Sequence, residues 1–239
     1  MPRFRSALAG GAILASAVGA ASAADLPPPP PAYPPQAPAA YVPAAPGFSW
    51  TGFYLGANAG YGWSNGSGTT TTFGVGPDTF SASGNAFVVG GQLGYNYQFA
   101  SVVFGVEADF QGSFGSGTLT DPSGALSATV KDPWFGTVRG RLGYAWDRVL
   151  LYGTGGLVYG DTTANGASGI PAIAFNNSST YYTWTAGAGA EWAFAGPWSA
   201  KIEYLYSGTP SSIPAIPNVT PPSGSAHTNL VRAGLDYHF

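Results

Sequence analysis

Leu230-Val231-Arg232-Ala233-Gly234-Leu235-Asp236-Tyr237-His238-Phe239 alternates strictly between two kinds of residue. Val231, Ala233, Leu235, Tyr237 and Phe239 form an apolar row, and Arg232, Gly234, Asp236 and His238 fall on the other parity. Residues two apart on a strand share a face, so this stretch is a strand with one greasy and one charged side. A soluble antiparallel sheet shows the same alternation; recurrence separates the two readings. The pattern Gly-x-x-aromatic-x-aromatic returns at Gly94, Tyr97, Phe99, at Gly189, Trp192, Phe194 and at Gly234, Tyr237, Phe239, with Gly143 and Trp146 as a shortened copy. Tyr97, Phe99, Trp146, Trp192, Phe194, Tyr237 and Phe239 thus end four strands at one level. That arrangement describes one interfacial aromatic girdle of a transmembrane β-barrel.

Working upstream, the same alternation predicts strands over Gly52–Trp63, Ala86–Phe99, Val102–Gln111, Trp134–Trp146, Tyr182–Phe194 and Trp198–Tyr206. Val149–Gly160 also reads as a strand, but Leu150, Leu151 and Tyr152 run together and leave its faces open. Between them, short connections at Ala100-Ser101, Asp147-Arg148 and Gly196-Pro197 alternate with long polar ones at Ser64–Asn85, Gly112–Pro133, Asp161–Tyr181 and Ser207–Ala226. Outer-membrane barrels carry short periplasmic turns and long extracellular loops, on an even number of strands. The expectation is all-β: an eight-stranded antiparallel up-and-down transmembrane β-barrel over residues 48–239.

Two segments precede it. Arg3 and Arg5, an apolar run from Ala7 to Ala21 and the small residues Ala21-Ser22-Ala23 form a secretory signal peptide, 1–23, with cleavage expected after Ala23. Residues 24–47 are nearly all Pro and Ala, and such a stretch extends as polyproline II rather than burying a core. It reads as a periplasmic spacer.

Composition narrows the function. Charged residues are 8% of the chain and aromatics 15%, against about 25% charged in ordinary soluble domains. There are eight basic and eleven acidic residues, a net charge of −3. Loss of Arg3 and Arg5 with the signal leaves six against eleven, or −5. Nucleic-acid binding calls for a basic patch and is excluded as a partner class. No cysteine is present, which removes disulfides and thiol chemistry. No apolar run of 18 residues follows the signal, so helical spans are excluded. Only a closed barrel then satisfies every backbone group in lipid, with outer-membrane lipids around its wall.

The charges that fall in strands all take the parity opposite the aromatics: Glu107, Asp109, Arg139, Arg141, Glu191, Lys201, Glu203, Arg232 and Asp236. They face the lumen. A barrel of eight strands is filled by side chains, and buried charge must be paired, so this set reads as a salt-bridge plug. A narrow porin-like diffusion channel is the alternative. A lipid-modifying enzyme is the third reading, and its support is thin. The two histidines, His227 and His238, fall at opposite ends of the last strand, and no acidic residue lies near His227 in its loop. No catalytic set, metal site or cofactor is expected. The outer loops are the surface a host or other external ligand would meet.

Trp50-Thr51-Gly52-Phe53-Tyr54-Leu55-Gly56-Ala57-Asn58-Ala59-Gly60-Tyr61-Gly62-Trp63 resembles the outer-membrane immunogenic proteins of alphaproteobacteria, small porin-like barrels of the OmpA type. Gly91-Gln92-Leu93-Gly94-Tyr95, Arg139-Gly140-Arg141-Leu142-Gly143-Tyr144, Leu151-Tyr152-Gly153-Thr154-Gly155-Gly156 and the Val231–Phe239 end are similar too. The resemblance spans about residues 48–239. It implies a Gram-negative outer-membrane surface antigen and structural protein. It further implies that the last strand, with Leu235, Tyr237 and Phe239, is read by the barrel-assembly machinery.

Overall fold

The computed structural model describes residues 48–239 except 171, 213, 221 and 222. The expected signal peptide, 1–23, and Pro/Ala-rich spacer, 24–47, lie outside the described residues. Eight strands follow one another: β1 (Gly52–Thr72), β2 (Gly76–Phe99), β3 (Val102–Thr120), β4 (Leu126–Trp146), β5 (Val149–Ser168), β6 (Ile173–Ala195), β7 (Trp198–Ser207) and β8 (Ser223–His238). Each pairs antiparallel with the next, and β8 pairs with β1 to close the ring. The eight-stranded up-and-down barrel read from the alternation is the fold.

The stagger of the ring can be followed residue by residue. From Tyr54 the lateral neighbours are Gly94, Glu107, Arg139, Gly156, Thr185, Ser207 and Thr228. Thr228 pairs with Ser64, ten residues further along β1 than the start. A stagger of this size tilts the strands by about 40° and leaves an interior that side chains can fill.

Alternation sets the two faces. On β8, Arg232, Asp236 and His238 are buried while Val231, Leu235 and Phe239 are exposed. The open question at β5 resolves the same way: Leu150, Tyr152 and Val158 point in, and Leu151, Leu157 and Tyr159 point out. Leu150, Leu151 and Tyr152 are simply apolar residues on both faces of one regular strand.

The outer wall carries two aromatic girdles. Tyr97, Phe99, Trp146, Trp192, Phe194, Tyr237 and Phe239 are outward at the end with the short turns. They pack edge to edge, as in the Tyr237–Phe239 and Trp198–Tyr237 pairs. A second ring, not anticipated from the motif, includes the exposed Tyr61, Trp63, Phe87, Phe110, Tyr159, Tyr182 and Trp184, with the half-buried Trp134 stacked on Phe110 at 5.5 Å. On β6 the two rings are eight to ten residues apart, from Trp184 or Tyr182 to Trp192. At about 3.3 Å per residue and about 40° of tilt this is roughly 20–25 Å, the height of an outer-membrane apolar band.

Beyond the second girdle the structure departs from expectation. The segments Ser64–Asn85, Gly112–Pro133 and Asp161–Tyr181, expected as loops, are mostly strand. β1 runs nine residues past Trp63, and β2 starts eleven residues before Phe87. The three connections shrink to Phe73–Val75, Asp121–Ala125 and residues 169–172. The physical reason is that sheet pairing is made by backbone bonds, which Gly, Ser and Thr provide as well as Leu does. Outside the membrane neither face needs an apolar row, so the period-2 hydrophobic signal vanishes while the ladder continues. Only residues 208–222, between β7 and β8, remain a long loop. A register shift between Lys131 and Trp134 on β4 sits at Pro133, which has no N–H to give the ladder.

Candidate functional site: the lumen

The nine strand charges come together as one network in the lumen. Each is at most 5% exposed. Glu107 on β3 is the hub. Arg139 on β4 pairs with it directly, Lys201 on β7 reaches it at 2.7 Å, Arg232 on β8 at 3.2 Å and Arg141 at 3.6 Å. Arg139 also bonds Asp109 at 3.0 Å and Glu203 at 2.9 Å. Arg232 holds Asp109 at 2.9 Å and Glu203 at 2.7 Å. Arg141 holds Glu191 on β6 at 2.7 Å, and Lys201 lies 3.7 Å from Asp236. Adjacent-strand pairing brings Glu107 opposite Arg139 and Glu203 opposite Arg232. Arg139–Asp109 and Arg141–Glu107 also join β3 to β4, and Lys201–Asp236 joins β7 to β8. Lys201–Glu107, Arg139–Glu203, Arg232–Glu107 and Arg232–Asp109 cross the lumen, and Arg141–Glu191 reaches from β4 to β6.

Neutral side chains that sequence reasoning did not single out complete the network. Tyr54 donates to Glu107 at 2.7 Å and accepts from Arg141 at 2.9 Å. The Arg141 guanidinium lies over the Tyr152 ring, 3.9 Å from its centre, and Tyr152 donates to Glu203. Thr137 donates to Asp109. Gln92 donates to Asp236 at 2.7 Å and accepts from Asn58. Their signal was present in the inward parity of each strand; polar residues without charge simply did not stand out.

The glycine of the recurring motif has its reason here. It lies three residues before the aromatic, hence on the lumen face. A Cβ at Gly94 would fall 2.2 Å from the Tyr54 ring, and one at Gly189 would fall 2.5 Å from the Tyr152 hydroxyl. Bulky charged and aromatic residues fit in an eight-stranded lumen because the facing positions are empty of side chain.

Apolar layers close the network from both ends. Val88, Leu205 and Leu230 pack together on the side of the second girdle, with Phe135 against them. Leu205 and Leu230 sit two residues from Glu203 and Arg232 on the same strands. At the short-turn end Trp50, Val103, Ala145, Leu150, Tyr152 and Ala193 form a second cluster, with Phe48 packed on it. Trp50 precedes β1 and is fully buried. Its indole N–H donates to the Asp147 carbonyl at 3.2 Å, and its backbone N–H donates to Gln98 at 2.9 Å. The segment ahead of the first strand therefore folds into the mouth of the barrel as a cork.

Beneath the cork lies a Ser, His and Glu group. Ser199 Oγ donates to Glu191 Oε1 at 2.6 Å, and His238 Nε2 lies 3.0 Å from Ser199 Oγ and 3.1 Å from Glu191 Oε1. A catalytic triad places the acid on the imidazole nitrogen opposite the one facing the serine. Here both partners crowd Nε2, Nδ1 has no partner among the described residues, and the Phe48 and Trp50 rings cover the imidazole. His227 is elsewhere, stacked on Tyr206 at 5.9 Å. No group of three or more His, Cys, Asp or Glu among the described residues has metal-site geometry.

A barrel with two girdles, a charged packed lumen and short turns at one end matches a known family. Residues 36–239 fit the family described as outer membrane protein beta-barrel domain. The chain belongs to that family. It is 40% identical over 233 residues to the 31 kDa outer-membrane immunogenic protein of Brucella melitensis, covering 92% of this chain and 93% of that one. With the 22 kDa outer membrane protein of Rhizobium leguminosarum it shares 32% over 166 residues, 70% and 67% of the two chains. Among solved structures it is similar to Ail of Yersinia pestis, with a TM-score of 0.39 and 17% identity over 78% of this chain and 99% of that one. It is also similar to Neisserial surface protein A, at 0.42 and 14% over 79% and 98%. As a member of this family the protein is a Gram-negative outer-membrane β-barrel with relatives named as immunogenic outer-membrane proteins.

Proposed function

We propose that this outer-membrane barrel is a non-enzymatic structural and surface protein whose lumen is a plug. The observation that carries the reading is the sandwich in the lumen: nine paired charges between two apolar layers, with Trp50 seated in one mouth. An ion entering such an interior would have to displace buried salt bridges that are each part of a larger network, at several kcal/mol per charge. A narrow channel therefore has less support than a closed barrel. A lipid-modifying activity has less again, since neither histidine is set in triad order.

In this reading the chain is exported with a signal peptide cleaved after Ala23, and residues 24–47 act as a periplasmic spacer. The assembly machinery reads Leu235, Tyr237 and Phe239, which are exposed on one face at the end of β8. Outer-membrane lipids cover the wall between the girdles. The extension beyond the second girdle makes the surface contacts. Deletion of the gene sensitises cells to detergent and lowers surface binding; unchanged envelope resistance together with unchanged surface binding would contradict the proposal.

A further inference from the structure

The far end of the extension is apolar. The β1–β2 and β5–β6 tips are joined, with the Ile170 N–H donating to the Phe73 carbonyl at 3.1 Å, and the Gly169 N–H ties the β5–β6 tip to Ala125 on the β3–β4 tip at 2.9 Å. Phe73 is 67% exposed and Ile170 58%, with Val75 and Ile173 exposed beside them. These are large apolar side chains at the end of the described barrel beyond the second girdle. At about 3.3 Å per residue and about 40° of tilt, the nine residues from Trp63 to Thr72 lift the tip roughly 20–25 Å beyond the second girdle.

We propose that this tip docks on the surface of a facing lipid bilayer with neutral or zwitterionic headgroups. Three observations favour lipid over protein. The tip backbone is already bonded: Phe73 N–H to the Asn218 carbonyl at 2.7 Å and Val75 N–H to the Thr72 carbonyl at 3.1 Å. What it offers is therefore apolar contact without a hydrogen-bond pattern for a partner to match. The four exposed apolar side chains among the described tip residues are far short of the roughly 800 Å² per partner that a stable protein interface buries, whereas each apolar side chain entering a bilayer interface contributes on its own. Charge gives the third. No charged residue lies in Phe73–Pro77 or among Gly169, Ile170 and Ala172–Ala174, and the extension behind carries Asp78, Asp121, Asp132 and Asp161 against Lys131 alone. An acidic collar disfavours anionic lipid and leaves neutral surfaces as the match. The tip faces outward only if the orientation in the proposed function holds.

The test uses the folded barrel in nanodiscs, with empty nanodiscs as control, mixed with protein-free phosphatidylcholine vesicles and separated by flotation. The protein-bearing discs float with the vesicles. The double variant Phe73→Ser with Ile170→Ser loses capture by about tenfold or more, and added phosphatidylglycerol weakens it. Both substitutions are on exposed tips, and retained heat-modifiable gel mobility shows that the variant is folded. Absence of wild-type capture, or equal capture by the variant, overturns the proposal. Discs that associate with one another but ignore protein-free vesicles overturn it in favour of a second copy as the occupant. A barrel that conducts ions would leave the capture result standing, and failed capture would leave a sealed lumen standing.

Discussion

Lys201 on β7 and Glu107 on β3 stand on diametrically opposite walls of the eight-stranded ring, and their side chains meet at 2.7 Å. One ion pair therefore spans the whole lumen. Both side chains are almost fully buried, so the interior is bridged rather than lined. Lys201→Met leaves Glu107 and Asp236 with less cation and lowers stability by about 3–5 kcal/mol, the usual cost of stranding a buried charge. Urea unfolding in micelles, followed by gel mobility, measures it. A midpoint equal to wild type would mean that the charges are solvated.

Arg139 and Arg141 give the same test at successive inward positions of β4, with partner sets that overlap at Glu107. Arg139 serves Glu107, Asp109 and Glu203, and Arg141 serves Glu191 between two tyrosine rings. Replacing both by Met destabilises the barrel by more than either alone. The two effects do not add, because both residues bear on Glu107.

The motif glycine predicts a size effect. Gly94→Val drives methyl groups into the Tyr54 ring, which a Cβ alone would approach to 2.2 Å. Overpacking of this kind costs about 1–3 kcal/mol. In a Tyr54→Ala background the same substitution costs less, and a double-mutant cycle reads the difference. Equal costs in both backgrounds would place the clash elsewhere.

The membrane boundary is testable by depth. Ile202, outward between the girdles and 58% exposed, should cost about 2–4 kcal/mol on replacement by Arg. Ser67, outward on β1 beyond the second girdle, should change stability by less than about 0.5 kcal/mol on the same replacement. Equal penalties would put the extension in lipid. Amide exchange over Ser64–Thr69 should be slow, since these residues pair with both β2 and β8; fast exchange would mean that this stretch is a loop after all.

Trp50 is expected to seal the short-turn mouth. With no cysteine in the chain, a single Leu150→Cys reports on access from that side. Its labelling by a maleimide is slow with Trp50 in place and faster with Trp50→Ala. Truncation at a fully buried Trp also costs about 3–5 kcal/mol. Equal labelling rates would remove the cork from the account.

The strands between the girdles were legible because lipid demands an apolar residue at every second position, and that demand writes itself into Val231, Leu235, Tyr237 and Phe239. The lumen charges were legible by the complementary parity. The extension was not, because Ser67, Thr69 and Thr71 face water where nothing forces alternation. Cross-lumen partners such as Lys201 and Glu107 were also beyond reach, since neighbour pairing follows from chain order while contacts across the ring depend on stagger and side-chain length. Trp50 read only as the lead-in to the first strand at Gly52, and its turn into the mouth depends on the space left by Val103, Ala145 and Leu150.

The closed lumen is tested most directly by conductance of the refolded barrel in a planar lipid bilayer. Folded protein is expected to insert without discrete current steps. Steps that disappear when Arg139, Arg141, Lys201 and Arg232 are neutralised would contradict the plug and make the charge network the wall of a pore.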